Sequence, residues 1–266
     1  MKVFISADIE GIASTVLWDE CRPEKTGYAE AANQMTQEVL AACHGAFKAG
    51  AEQIYVKDAH NYGNNIDVYQ MPPNVYLRRC WSEAPLAMVE GLDDTFDAAL
   101  FVGYHSAAGM NGNFLAHTMN SRIGHIKING IIASEFMIYS YAAAYCHVPT
   151  IYLSGDKQLC ETYASLHPKL VTTAVKEGDA FAAVCMSPTQ AIATIEKDVE
   201  FALKQDLTNA CITLPDAFEV EIRYKDHSNS SKPSYYPGMK RLDAHTLLFK
   251  AKDYMDVLTM MKFCLS

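Results

Sequence analysis

The chain opens MKVFISADIEG, where an apolar run from Val3 to Ala7 passes directly into Asp8 and Glu10. The run has the length of a buried strand. Side chains on a strand alternate between its two faces, so residues i and i+2 share one face. Asp8 and Glu10 therefore emerge side by side at the edge of a core. Two like charges there repel and lose hydration unless a cation joins them or one takes up a proton. Any fold open to this chain has to supply one or the other.

Beyond this opening the chain alternates helix and strand signals. Residues 28–49 place Met35, Val39, Ala42 and Ala46 at helical spacing, with Gly50 as C-cap. Residues 53–57, 75–79 and 98–104 read as strands, and 133–146 as a helix apolar nearly all round, hence buried. A strand over 150–156, a helix over 157–165 and a strand over 171–176 come next, and Ser187-Pro188 starts a helix to about 204. This alternation predicts an α/β fold, a mainly parallel sheet flanked by helices. The stretch 113–130 breaks the pattern: FLAHTM and GHIKING read as a hairpin or a pair of short strands inserted in the α/β core. From about 213 the texture changes again. FEVEIRY at 218–224 reads as a half-exposed antiparallel strand, 226–238 as a loop, 246–249 as apolar, and 252–264 as a final helix. The expected division is a larger α/β domain over 1–210 and a smaller C-terminal α+β subdomain over 211–266 packed on it.

The 266 residues suffice for a substantial core. A net charge of −9, with no basic run, argues against nucleic acid as a partner. Met1-Lys2 leads at once into a short strand, with no signal-peptide pattern, and no apolar stretch is long enough to cross a bilayer, so no membrane partner and a cytoplasmic location are expected. The eight cysteines form no C-x-x-C pair and read as reduced, mostly buried thiols rather than a zinc site. P-loop, G-x-G-x-x-G, H-E-x-x-H and G-x-S-x-G patterns are absent, which argues against the corresponding nucleotide-cofactor, single-zinc helix protease and serine hydrolase chemistries.

In open α/β sheets, ligands bind beyond the carboxyl ends of the strands. After the first strand come Asp8 and Glu10; after the second, KDAH supplies Asp58 and His60; after the fourth, GYH supplies His105. The insert supplies His117, and the buried helix supplies Glu135 beside Phe136, Met137 and Ile138. Lys57 points away from the Asp58 and His60 face if its strand alternates. Each residue alone also reads as a strand-end cap or half of an ion pair, and a chain in which all are caps would bind no metal. Together they form a mixed nitrogen and oxygen set suited to Zn²⁺, and also to Mn²⁺ or Co²⁺. The ligands outnumber the three of a typical catalytic zinc and suit two metals about 3.5–4 Å apart sharing a carboxylate. The expected chemistry is hydrolysis; the spacing does not separate amides from phosphoesters.

Taken in order, SADIEG, KDAH, GYH, AHTM and the glutamate of a buried helix resemble the M55 metallopeptidases. MVEGLDDTFDAALFVGYH (88–105), VPTIYLSGD (148–156) and AVKEGDAFAAVCMSP (174–188) add to the likeness, which covers residues 1–205 and, more loosely, the tail. The resemblance implies two zinc ions per subunit, with Asp8 bridging, Glu10 and His60 completing one, and His105 and Glu135 the other. It implies that His117 is the catalytic histidine, close to the metals without ligating them, and it gives Asp58 no role beyond support at the strand end. It further implies an aminopeptidase that hydrolyses the N-terminal amide bond of short peptides, with a preference for D-amino acids, and a homodecamer of two stacked pentamers. In the family's best-known member a glycine-bearing stretch surrounds the helix glutamate, with an asparagine a turn later. Here Phe136 to Tyr139 are bulkier and would reshape the pocket wall. Two other readings stand beside this one: a metal-dependent amidase acting on a non-peptide or cell-wall-derived substrate, and a catalytically silent ring-forming scaffold.

Overall fold

The first strand, β1 (Lys2–Ala7), is buried on both faces, which places it inside a sheet covered on both sides. The computed structural model describes residues 1–265. After β1 come α1 (Tyr28–Lys48), β2 (Gln53–Asp58), β3 (Val75–Arg78) and β4 (Ala98–Tyr104). Next are β5 (Ile123–Ile128), β6 (Ile131–Ile132), α2 (Glu135–Tyr145), β7 (Thr150–Asp156) and α3 (Lys157–Leu166). Further along lie β8 (Val171–Asp179), β9 (Ala182–Cys185) and α4 (Pro188–Leu203). The tail supplies β10 (Phe218–Tyr224), α5 (His227–Ser231), β11 (Lys240–Arg241), β12 (Thr246–Ala251) and α6 (Tyr254–Cys264).

Seven strands form one sheet in the order β3-β2-β1-β4-β7-β8-β9, parallel except at β9, which turns back along β8. The expected α/β architecture with a mainly parallel sheet is the one observed. Val3, Ile5 and Ala7 join side chains of α1 and α4 on one face, while Phe4 and Phe101 join α2 and α6 on the other. Among the described residues no helix is long and apolar enough to cross a membrane.

A second, antiparallel sheet has the order β11-β12-β10-β5-β6. It draws on residues 123–132 as well as on the tail, because β5 pairs with β10, Ile126 opposite Ile222. GHIKING supplies β5, but its hairpin partner is β6, beyond the insert, instead of FLAHTM; the pair turns at Asn129 and Gly130, both at positive φ (50° and 83°). The FLAHTM segment is not a strand. Asn113 accepts the Leu115 amide through its side chain (3.0 Å) and the Ala116 amide through its carbonyl (3.0 Å), so local bonds replace a ladder. Residues 226–238, read as a loop, contain the short helix α5, which Asp226 caps by accepting the Ser228 amide.

The carboxyl ends of β2, β1 and β4 lie side by side, and backbone bonds lock the segments beyond them. Asp8 donates its amide to Val102 (2.9 Å), Ala59 to Ala7 (2.9 Å) and Gly11 to Gly103 (2.8 Å). A β-carbon on Gly11 would sit 1.8 Å from the Tyr104 carbonyl oxygen, and one on Gly103, at φ +73°, 2.3 Å from that of Asp8. Glycine at both positions lets the loop after β1 lie directly on the end of β4.

Below that loop, the buried Glu38 of α1 accepts the Ala13 amide (2.9 Å) and the Gln34 side-chain amide (3.0 Å). Burial, partly offset by those bonds, pushes its carboxyl from 4.5 up to about 7. A raised carboxyl contributes stability below its ordinary value that is lost as pH climbs through the folded value. At roughly 1.4 kcal/mol per unit the loss is about 3 kcal/mol. We expect Glu38→Gln, whose amide oxygen still accepts both bonds, to gain stability over the parent at pH 8 but not at pH 4.5. Urea denaturation at the two pH values measures this, and equal differences at both would refute it.

Candidate metal centre

Each strand end delivers its residues to one pocket of about 330 Å³ lined by Asp8, Glu10, His60, His117 and Glu135. Asp8 and Glu10 follow β1, His60 follows β2, and His105 follows β4 with its side chain fully covered. Glu135 is the first residue of α2. Ser134 caps the helix by accepting the Met137 amide (3.1 Å), and the helix N-terminus favours a carboxylate there. His117 lies in the loop that replaces the expected strand.

The spacings are short throughout. His60 Nδ1 is 3.3 Å from Asp8 Oδ1 and 3.0 Å from Glu10 Oε2. His105 Nε2 is 3.4 Å from Asp8 Oδ2 and 3.7 Å from Glu135 Oε2, and His117 Nε2 is 3.6 Å from Glu135 Oε1. Asp8 thus faces one histidine with each oxygen, the position of a bridging group. The His105 and His117 rings stack at 4.4 Å, and Trp18 meets His117 edge-on at 5.3 Å. Two sets of donor atoms, those of Asp8, Glu10 and His105 and those of His105, His117 and Glu135, each lie within 4.8 Å of one another. All six candidates therefore converge, and His117 sits within the same reach as the residues read as ligands.

Backbone carbonyls fix the orientation of every ring. A carbonyl only accepts, so the nitrogen facing it carries the proton. His60 Nε2 donates to Cys21 (2.6 Å), His105 Nδ1 to Ser106 (2.9 Å) and His117 Nδ1 to Leu115 (2.9 Å). The opposite nitrogen of each ring is turned toward carboxylate oxygens. Asp8 Oδ2, Glu10 Oε2 and His105 Nε2 are buried without any hydrogen-bond partner. Lone pairs facing anions with no proton between them form a set that a divalent cation satisfies, and the donor types suit zinc. Where no cation is bound, protons take its place on the imidazoles. Burial lowers the His105 imidazole, and the charges of Glu135 and Asp8 outweigh it, raising the ring to about 10. Burial likewise opposes charge on Asp8, yet the His105 and His60 imidazoles beside it hold it well below the usual carboxylate range, while burial lifts Glu135.

Supporting residues explain the placement. Asp58 is not in the cluster. It accepts from the Asn65 amide (2.6 Å), the Asn65 side chain (2.8 Å) and the Ile66 amide (2.9 Å), closing the loop that carries His60. Lys57 does point away, as alternation requires, but into a buried site. Its Nζ donates to the carbonyls of Asp58 (2.7 Å) and Cys80 (2.6 Å) and lies 3.8 Å over the Trp81 ring. Sequence reasoning missed Lys176 and Asn113, which hold the Glu10 carbonyl at 2.5 and 3.0 Å. A lone lysine in the apolar stretch VTTAVK was the available signal for the first.

Comparison with known proteins agrees with this arrangement. The peptidase M55 family model, described as D-aminopeptidase, matches residues 1–263. The chain is 31% identical over 258 residues to a D-aminopeptidase of Bacillus subtilis (strain 168), spanning 96% of this chain and 93% of that protein. Its structure is similar to that of the Zn-dependent D-aminopeptidase DppA from Bacillus subtilis, a self-compartmentalizing protease, with a TM-score of 0.90, 29% identity, and coverage of 100% of this chain and 98% of that one.

Because Asp58 organises the His60 loop without reaching the cluster, Asp58→Ala should weaken zinc binding roughly 10–100-fold with all the clustered residues intact. Zinc titration against a competing chelator reads this directly; unchanged affinity would show the loop holds without it.

Proposed function

The chain belongs to the M55 peptidase family and is a metallo-aminopeptidase, and from that premise we propose that it uses two zinc ions per subunit to remove the N-terminal residue of short peptides, D-configured residues included. Asp8 would be shared between the two ions, with Glu10 and His60 holding one and His105 and Glu135 the other. The observation that carries this reading is the set of backbone-locked imidazoles whose free nitrogens face carboxylates, with Asp8 Oδ2, Glu10 Oε2 and His105 Nε2 left without partners.

Zinc, when bound, supplies Lewis acidity that polarises a carbonyl and makes water nucleophilic near neutral pH. The protein supplies the rest. The carboxylates of Asp8, Glu10 and Glu135 would offset the charge of the ions they hold. His117 keeps its proton on Nδ1 through Leu115, so Nε2 is free to take a proton and pass it to the leaving amine. Trp18 restricts the ring from one side and the His105 stack from the other. Buried walls on Ala59 and Met88 keep the polar groups at low dielectric.

The name of the self-compartmentalizing relative supports assembly of this chain also, and we extend the proposal to a homodecamer. Exposed apolar side chains such as Tyr69, Phe181 and Tyr235 are available for contacts between copies.

His60→Ala should abolish peptide hydrolysis with little change in fold. His117→Ala should lower kcat roughly 10²–10⁴-fold while zinc content stays at two per chain. Elemental analysis beside the kinetics separates the roles. Loss of one zinc in the His117 variant would make that residue a ligand, and full activity of His60→Ala in metal-depleted buffer would end the scheme.

A further inference from the structure

Beside the metal pocket lies a second cavity of about 360 Å³ that the chemistry above does not use. It shares Asn61, Trp81 and Met119 with the metal pocket, so the two spaces meet along one wall. Its remaining surface is mostly apolar. Tyr139 comes from α2, Leu258 and Met261 from α6, and Leu265 from the chain end, and all four are nearly fully buried (3, 1, 5 and 5% exposed). The charged groups at this cavity, Glu83 and Lys262, form an ion pair with each other. The Tyr139 hydroxyl meets only the Met119 thioether, a weak acceptor, at 3.4 Å.

The walls are held in place. Trp81 donates its indole N–H to the Asn61 carbonyl (2.7 Å), and its ring lies under the Lys57 ammonium. The strap from 80 to 87 that carries it contains three non-glycine residues at positive φ, Cys80 (58°), Glu83 (68°) and Ala87 (39°). Such conformations cost energy and persist where the surroundings impose them. On the far side, Asn120 and Arg122 donate to the Leu265 carbonyl (2.6 and 3.2 Å), pinning the chain end against the cavity.

We infer that this cavity is a side-chain subsite and that the enzyme selects peptides carrying a branched aliphatic or aromatic residue next to the scissile bond over peptides of alanine or glycine. The inference rests on the peptidase reading and names its substrate class. The occupant is the substrate itself, because the cavity borders the metal pocket and shares the wall of Asn61, Trp81 and Met119 with it. A lining whose larger share is apolar and whose charges are mutually paired favours apolar surface over charged groups. The volume suits one large side chain, and Tyr139 gives it an aromatic wall to pack against.

Two measurements test it. Matched dipeptides, differing only in alanine against leucine or phenylalanine and supplied in both configurations, are compared by kcat/KM on the zinc-loaded protein. The bulky side chain should win by roughly tenfold or more. Met261→Trp, which fills the cavity, should bring the ratio near one chiefly through KM, and Leu258→Phe is the milder variant if that one fails to fold. Independently, Trp18→Phe leaves Trp81 as the only tryptophan. N-acetylphenylalaninamide, which an aminopeptidase cannot cut, should then shift its emission saturably, while N-acetylglycinamide should not. Hydrolysis at equal rates for all dipeptides, with emission indifferent to both probes, overturns the subsite and leaves the peptidase reading intact. Saturable binding that Leu258→Phe weakens in the Trp18→Phe background, without hydrolysis of any peptide, supports the subsite and defeats the peptidase reading instead.

Discussion

Three carboxylates, those of Asp8, Glu10 and Glu135, are all but removed from water within one small pocket (2, 3 and 4% exposed). Burial on that scale holds only if positive charge stands among them. The nearby lysines do not provide it. Lys176 spends its ammonium on the carbonyls of Glu10 and Thr15, and Lys57 on those of Asp58 and Cys80. Both stiffen the backbone behind the acids and leave the acids themselves to the imidazoles. Around a bound cation each imidazole would give its one proton to a carbonyl and turn a lone pair to the metal. The arrangement is coherent around a divalent cation and costly around nothing, and the rest of the fold reads as the means of imposing it.

That imposition works through contact distances that tolerate little change. Gly11 and Gly103 let the segment after β1 lie on the end of β4 with backbone touching backbone, so Asp8 and His105 meet although they come from different strands. The amide of Asp8 is bound to Val102, and its Oδ1 accepts from the Ile9 amide at 2.9 Å. A candidate ligand whose own main chain and side chain are both tied would not need a metal to find its rotamer, which leaves binding energy for the metal rather than for ordering. Asp58 does the same for the loop of His60.

How much of this was legible in the sequence depends on which interactions are local. Period-two alternation and the rule that ligands gather at carboxyl ends of parallel strands brought Asp8, Glu10, His60 and His105 to one edge without any knowledge of contacts. Glu135 showed itself as a charge in a helix otherwise apolar all round. The long-range choices were not legible. Nothing near Ile126 indicates that it lies opposite Ile222, so the second sheet could not be assembled from the sequence of either half. Segment 114–119 has strand-like apolar content, but Asn113 turns the backbone back on itself, and His117 is presented from a loop instead. Lys176 and Asn113 hold the Glu10 carbonyl from positions more than a hundred residues away, and neither belongs to a local motif.

The helix α2 links ligand and cavity by covalent geometry alone. Glu135 and Tyr139 are four residues apart, so they lie on one face of α2, about 6 Å apart along its axis. One reaches the metal centre and the other lines the neighbouring cavity. An extended peptide advances about 3.3–3.6 Å per residue, so two residues span the same distance. A carbonyl held near Glu135 therefore places a side chain of the same or adjacent residue beside Tyr139 without bending the chain. Helix α6, which covers the cavity, is tied to the same turn by the bond from the Tyr254 hydroxyl to the Ile138 carbonyl at 2.8 Å. The C-terminal segment, far in sequence from every candidate ligand, thereby becomes part of the surface that the proposed substrate side chain meets.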